Sequence, residues 1–375
     1  MIGCLVLGLK GAACAAYVEG EKVVDLWGGV RDARDGSPWE EDTVVVLYST
    51  SKGLSSMTLA LAHSRGWLDY DARVVDYWPE FGQAGKEQVT VRQLLGHEAG
   101  LPVIDEPLDP GMLEDFDRLA AAIARQRPLW PPGTRHGYHG VSLGWYEGEL
   151  IRRVDPAGRT LGRFFAEEIA APLGDLGVWF GLPSDVPRER IARIERVPPW
   201  RALPHLHHLP PRMVAGMVNP RSVTYKTFAN PRLRNFAELD RKEYRHLEFP
   251  AGGAIGTARD IAHAYSAFSG ARLPLGLTKE TIEELARFPL PPPHGWFDEV
   301  IKVETAFSLG FARPLGPFRF GSSQRAFGHP GAGGSFAFVD PDRDVSFAYA
   351  MNRMGFYLND DPREKALRDA LYRCL

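Results

Sequence analysis

A chain of 375 residues with 44% hydrophobic and 24% charged side chains can bury a large core and has the composition expected of an ordinary soluble globular protein, with no apolar run long enough to span a membrane. A formal net charge of -3 and a pI near 6.4 give no electrostatic reason to expect nucleic acid or an anionic membrane as a partner. Cys4, Cys14 and Cys374 are odd in number, far apart and not in metal-ligand spacing, which argues against a disulfide framework or zinc site and predicts free thiols in a reducing, cytoplasmic setting.

The first residues, Met1 to Ala16, are apolar but lack a basic leader and run straight into strand-like sequence, so no cleaved signal is expected. Ala12 to Val18 and Lys22 to Trp27, joined by Glu19-Gly20-Glu21, predict a β-hairpin. Asp32 to Glu41 reads as a polar loop, Thr43 to Leu47 as a short strand, and Ser49 to about Arg65 as a buried helix, apolar nearly all round. Thr90 to Leu95 carries a capped helix start, and Leu113 to Gln126, Ser142 to Val154 and Leu161 to Ala171 are helical runs. Leu203 to Arg234, rich in proline, histidine and arginine, is predicted to be a long loop over the site. Thr257 to Phe268 follows as a helix capped by Thr257, with Asp260 at its fourth position. Thr305 to Phe311, Ser335 to Val339 and Val345 to Met351 read as strands, the last two joined by a turn at Asp340-Pro341-Asp342, and a helix over Arg363 to Tyr372 closes the chain. This order predicts an α/β (α+β) fold in which one antiparallel sheet is assembled from both ends of the chain. Residues 1–75 and 245–375 make the sheet domain, and 76–244 a helical domain with a lid-like loop.

Chemistry is concentrated first at Leu47-Tyr48-Ser49-Thr50-Ser51-Lys52. Ser49 and Lys52 stand three residues apart on one helix face, and a buried amine has a lowered pKa suited to activating a hydroxyl. The alternative is a capping serine followed by a solvated lysine. Tyr138, in the turn-rich loop Pro131 to Gly140, is a second candidate, because a nearby ammonium favours phenolate; the alternative is a tyrosine packing a loop. Phe327 to Ser335 holds glycines dense enough to bring backbone N–H groups against a ligand, or to form an ordinary turn. Gly140-Val141-Ser142-Leu143-Gly144 fits the G-x-S-x-G nucleophile elbow, but no strand is expected before it. His205-Leu206-His207-His208 has no matching acid or cysteine constellation and reads as loop, not metal site.

Taken in order, Ser49-Thr50-Ser51-Lys52, Tyr138-His139-Gly140 and His329-Pro330-Gly331 resemble the S-x-x-K, Y-x-N and K-T-G or H-x-G motifs of class C β-lactamase-like serine hydrolases. Leu94 to Pro102, Pro132 to Arg135, Gly256 to Asp260 and Phe327 to Ser335 resemble in particular the carboxylesterase branch, the family VIII esterases. The resemblance implies a β-lactamase/transpeptidase-like fold, an antiparallel sheet flanked by helices plus a helical lobe, with the site between them. It implies Ser49 as nucleophile, Lys52 and Tyr138 as the base system, and the N–H groups of Ser49 and Ala332 as oxyanion donors. His329, Gly331 and Gly140 are then substrate-binding positions, and no metal or organic cofactor is required. Gly140 stands where β-lactamases keep an amide-binding asparagine and His329 where they keep a lysine, so lactam recognition is weakened. About ten residues precede the first strand, where relatives usually begin with a helix. The expected activity is hydrolysis of short-chain esters through an acyl-enzyme on Ser49. The alternatives are a β-lactamase or amide hydrolase, an acyltransferase, or an idle penicillin-binding module.

Overall fold

The computed structural model describes residues 10–195, 200, 203–231, 236–270, 272 and 274–375. Cys4 and the leading residues 1–9 lie outside it; Cys14 is buried and Cys374 exposed. The strands are β1 (Gly11–Val18), β2 (Glu21–Asp32), β3 (Ser37–Pro38), β4 (Val45–Val46), β5 (Val178–Phe180), β6 (Ala254–Gly256), β7 (Phe307–Ser308), β8 (Phe311–Ala312), β9 (Phe327–Pro330), β10 (Phe336–Asp340) and β11 (Val345–Met351). The main sheet runs β3-β2-β1-β11-β10-β9-β8-β7 with every neighbouring pair antiparallel. Its centre, β1 beside β11 with Ala15 opposite Ala348, joins the two ends of the chain as the element order predicted.

The pleat explains how this sheet is covered on both faces. Side chains alternate along a strand, so Ala15, Ala337, Ala348 and Ala350 point to one side and Cys14, Phe336, Phe338, Phe347 and Tyr349 to the other. Small side chains on the first face admit α1 (Thr50–Ser64) and the helix over Ala258–Ser266, while the aromatic face receives Leu371 of the C-terminal helix, Pro362–Cys374. A second sheet, β4-β6-β5, was not anticipated; β5 enters it from within the 76–244 segment.

Several sequence expectations are redrawn by local chemistry. The run Leu113 to Gln126 is two helices, Pro110–Glu114 and α2 (Phe116–Arg125), divided at Asp115, whose carboxylate accepts from Arg118 N and caps the second. Thr305 to Phe311 is a hairpin, β7 and β8, turned where Leu309 and Gly310 take positive φ. The glycine-rich approach to β10 contains a strand of its own, β9. The predicted long loop over Leu203 to Arg234 is largely helical: a 3₁₀ turn over Leu203–His208, then α4 (Pro211–Val218) and α5 (Val223–Phe228), following α3 (Leu143–Val154) in the chain. Its prolines, read as loop signals, include Pro211 in the first turn of α4, where a missing N–H costs nothing. Residues 232–234 lie outside the described chain.

Candidate active site

β4 delivers the chain to α1 through Leu47, Tyr48 and Ser49, and Tyr48 takes φ 50°, a left-handed conformation that a tyrosine seldom adopts. Ser49 occupies the N-cap position of α1 but its hydroxyl caps nothing, and Lys52 is fully buried. The reading of a capping serine and a solvated lysine is therefore wrong on both counts. Lys52 Nζ lies 3.2 Å from Ser49 Oγ and 2.7 Å from each of two carbonyls, Gly140 O and Ala251 O.

An ammonium has three donors and a neutral amine two plus a lone pair. As an ammonium, Nζ donates to Ser49 Oγ and to both carbonyls; once deprotonated, its two N–H groups suffice for the carbonyls and its lone pair faces Ser49. Burial lowers its pKa from 10.5 to about 7, against the opposing pull of Glu147. Glu147, on α3, is itself buried, accepts from Ser55 Oγ and Ser56 Oγ of α1, and is raised to about 7 by desolvation.

Tyr138 lies beside this pair, with Lys52 Nζ 4.9 Å from its ring centroid. Its phenol does not behave as the sequence suggested. Burial raises its pKa well above 10, and the hydrogen bond with Ser49 only partly offsets that. The expectation that the lysine would make it phenolate overlooked the desolvation both groups share. Tyr138 N donates to Asp298 Oδ2 at 3.0 Å, and the ring packs on His97, Phe307 and His329. The buried Asp298 also accepts from Val300 N and Ile301 N, which anchors this loop.

β9 and the residues after it close the other side. A Cβ on Gly331 would stand 2.5 Å from Leu47 O and 2.8 Å from Thr50 Oγ1, so only glycine lets this backbone reach the start of α1. Ser335 fastens the contact, its Oγ donating to Leu47 O at 2.8 Å and accepting from Thr50 Oγ1 at 3.0 Å. Among the described residues, neither Ser49 N nor Ala332 N donates to another group of the protein. Both residues border the same cavity.

His329 is buried and packed with its Nδ1 2.7 Å from Pro330 O. Burial, reinforced by Lys52, lowers its pKa to about 3, so it does not titrate near neutrality. The ring is therefore neutral around pH 7 and brings no positive charge to a substrate carboxylate, in line with the weakened lactam recognition expected where a lysine is replaced. Gly140 is confined as well. A Cβ there would lie 2.6 Å from Phe228 Cε1 of α5, so Phe228 occupies the space a longer side chain would need.

Ser142 is not brought to this group. It is buried at the N-cap of α3, its hydroxyl donates to Leu101 O at 2.7 Å, and no strand precedes it. His205, His207 and His208 lie in the 3₁₀ turn and stack with one another and with Phe356 and Tyr357. Among the described residues no group of three or more His, Cys, Asp or Glu is placed to hold a metal ion. The cavity in front of Ser49 measures about 570 Å³. Met213, Met217, Phe228, Ile301, Phe307 and Phe318 make its wall largely apolar.

The family model described as Beta-lactamase matches residues 6–372. The Esterase/beta-lactamase LipL of Mycobacterium tuberculosis is 31% identical over 92% of this chain and 77% of its own length. The crystal structure of a family VIII carboxylesterase superposes with a TM-score of 0.86 at 36% identity, over 100% of this chain and 95% of that one. A penicillin-binding protein homolog from Caulobacter crescentus gives a TM-score of 0.84 at 37% identity, over 98% and 93% of the two chains.

Proposed function

The chain belongs to the beta-lactamase family and has its fold, and from that premise we propose that it is a serine carboxylesterase acting on short-chain esters through an acyl-enzyme on Ser49. The observation that carries this reading is the amine of Lys52, buried, held by two carbonyls and turned toward Ser49 Oγ. Neutral Lys52 takes the serine proton as Oγ bonds to the ester carbonyl carbon. The N–H groups of Ser49 and Ala332 receive the oxyanion. Collapse breaks the ester C–O bond, the departing alkoxide takes the proton back from the ammonium, and water then repeats the sequence to release the acid. Tyr138 stays protonated; its phenol orients Ser49, and its ring face lies near the transient ammonium.

Three features favour an uncharged ester over a lactam. The cavity wall is largely apolar, His329 offers no positive charge to a carboxylate, and Phe228 fills the space beside Gly140. Among the relatives, the family VIII carboxylesterase supports the ester by its name, while the esterase/beta-lactamase fits either substrate. The test compares p-nitrophenyl butyrate with benzylpenicillin for the wild type and Ser49→Ala, with and without an acceptor alcohol. Ester turnover lost in Ser49→Ala supports the reading. Equal efficiency on benzylpenicillin would defeat it, and transfer to the alcohol in preference to water would make the protein an acyltransferase.

A further inference from the structure

Residues 196–237 contain seven Lys and Arg and no Asp or Glu, leaving 37 of the chain's 44 cations to face all 47 acids elsewhere. A near-neutral total therefore conceals a local basic segment, of whose charges the structure describes Arg212, Arg221 and Lys226. Trp200, Leu203 and Val218 are 65%, 65% and 77% exposed, and Leu206 and Tyr225 are also exposed. Arg212, Arg221 and Lys226 are exposed too, with no carboxylate partner among the described residues. Along α4 the sides are sorted: Arg212, Ala215 and Val218, three apart, face out, while Met213 and Gly216 are buried and Met213 and Met217 line the cavity. The segment is held to the body from beneath, where His205 stacks on Phe356 at 4.4 Å and His208 on Tyr357 at 4.3 Å. Leu203 and Val218 are thus left largely exposed in a stretch that also presents Arg212, Arg221 and Lys226, while the cavity lining beside it carries the acid Glu304.

We propose that residues 203–226 form a docking face for an anionic lipid bilayer, beside a cavity that draws its ester from that layer. Exposed Leu and Val gain by entering the headgroup and acyl boundary, and Arg and Lys without a carboxylate partner gain by facing anionic headgroups. The acid-free stretch would repel neither. No helix among the described residues is long and apolar enough to cross a membrane, so the contact is with the surface. This places an anionic membrane among the partners, which the net charge gave no reason to expect. Delivery of substrate rests on the ester reading above; docking itself does not.

The experiment is co-sedimentation of the full chain with phosphatidylglycerol or phosphatidylcholine vesicles, run in parallel on Ser49→Ala. Binding to phosphatidylglycerol at least about tenfold tighter, weakened by added NaCl, is expected for both proteins. The pairs Arg212→Glu with Arg221→Glu and Leu203→Ser with Val218→Ser should each reduce it by at least about tenfold. Turnover of soluble p-nitrophenyl butyrate should stay within about twofold in these variants, which shows they are folded. Vesicle binding without any butyrate turnover would support docking and count against the ester reading alone. Equal binding to both lipids, indifference to the variants, or a dimer in light scattering that these variants dissolve would overturn the proposal.

Discussion

Lys52 Nζ approaches Ser49 Oγ to 3.2 Å while its two shorter contacts, at 2.7 Å, are both to backbone carbonyls and none is to a carboxylate. A lysine so placed is cheap to deprotonate. Nothing anionic in direct contact holds its charge, and burial works against it. The account of the site follows from that one environment.

The pH profile should report it. With Lys52 lowered to about 7, kcat/KM for p-nitrophenyl butyrate should rise with pH and level off above about 7. Glu147 raises the lysine pKa, so Glu147→Gln should move the limb to lower pH. Because Glu147 is itself raised to about 7, disappearance of the limb in that variant would mean that the carboxyl, not the amine, is being titrated.

The two base candidates separate by variant. Lys52→Ala should cost about 10²–10⁴-fold in kcat and remove the limb, whereas Tyr138→Phe should lower kcat and leave the limb where it is. The phenol, raised far above neutrality by burial, is protonated throughout that range. A limb that vanished with Tyr138→Phe and survived Lys52→Ala would reverse the roles.

The same burial leaves a mark on stability. Between about 7 and 10.5 Lys52 is neutral in the folded chain and protonated in the unfolded one, so the unfolded state binds the extra proton and stability rises with pH. The lowered pKa corresponds to on the order of 5 kcal/mol, present above pH 10.5 and lost as pH falls to about 7. Denaturant midpoints of the wild type minus those of Lys52→Met, measured from pH 7 to 10.5, should climb accordingly. A flat difference would mean that the amine is charged in the folded protein.

Selectivity should not depend on pH, but on space. Since His329 is neutral down to about pH 3, the ratio of nitrocefin to butyrate turnover should stay constant from pH 5.5 to 8.5. Gly140→Asn alone should lower ester turnover without raising lactam turnover, because its Cβ meets Phe228. Only with Phe228→Ala added should nitrocefin turnover rise. A gain from Gly140→Asn alone would show that Phe228 yields and is no barrier.

Much of this site was legible beforehand, and the remainder has physical reasons for being hidden. Ser49 and Lys52 share a helix face by spacing alone, and the sheet was readable from the hairpin at Glu19-Gly20 and the strand pattern near the C-terminus. The direction of the Tyr138 shift was not, because desolvation depends on Phe307, His97 and His329, which arrive from distant parts of the chain. Glu147 left one trace, an acid on the same face of α3 as Leu143, Leu150 and Ile151. Phe228 left none, since its contact with Gly140 exists only once residues 203–231 fold back over the site as helices.

The most direct test is covalent. After treatment with an acyl phosphonate, peptide mass spectrometry should place a single adduct on Ser49, formed faster above pH 7 than below it, with Ser49→Ala unlabelled and Ser142→Ala labelled as fast as wild type. An adduct on Ser142, or labelling that persists in Ser49→Ala, would contradict the account at its centre.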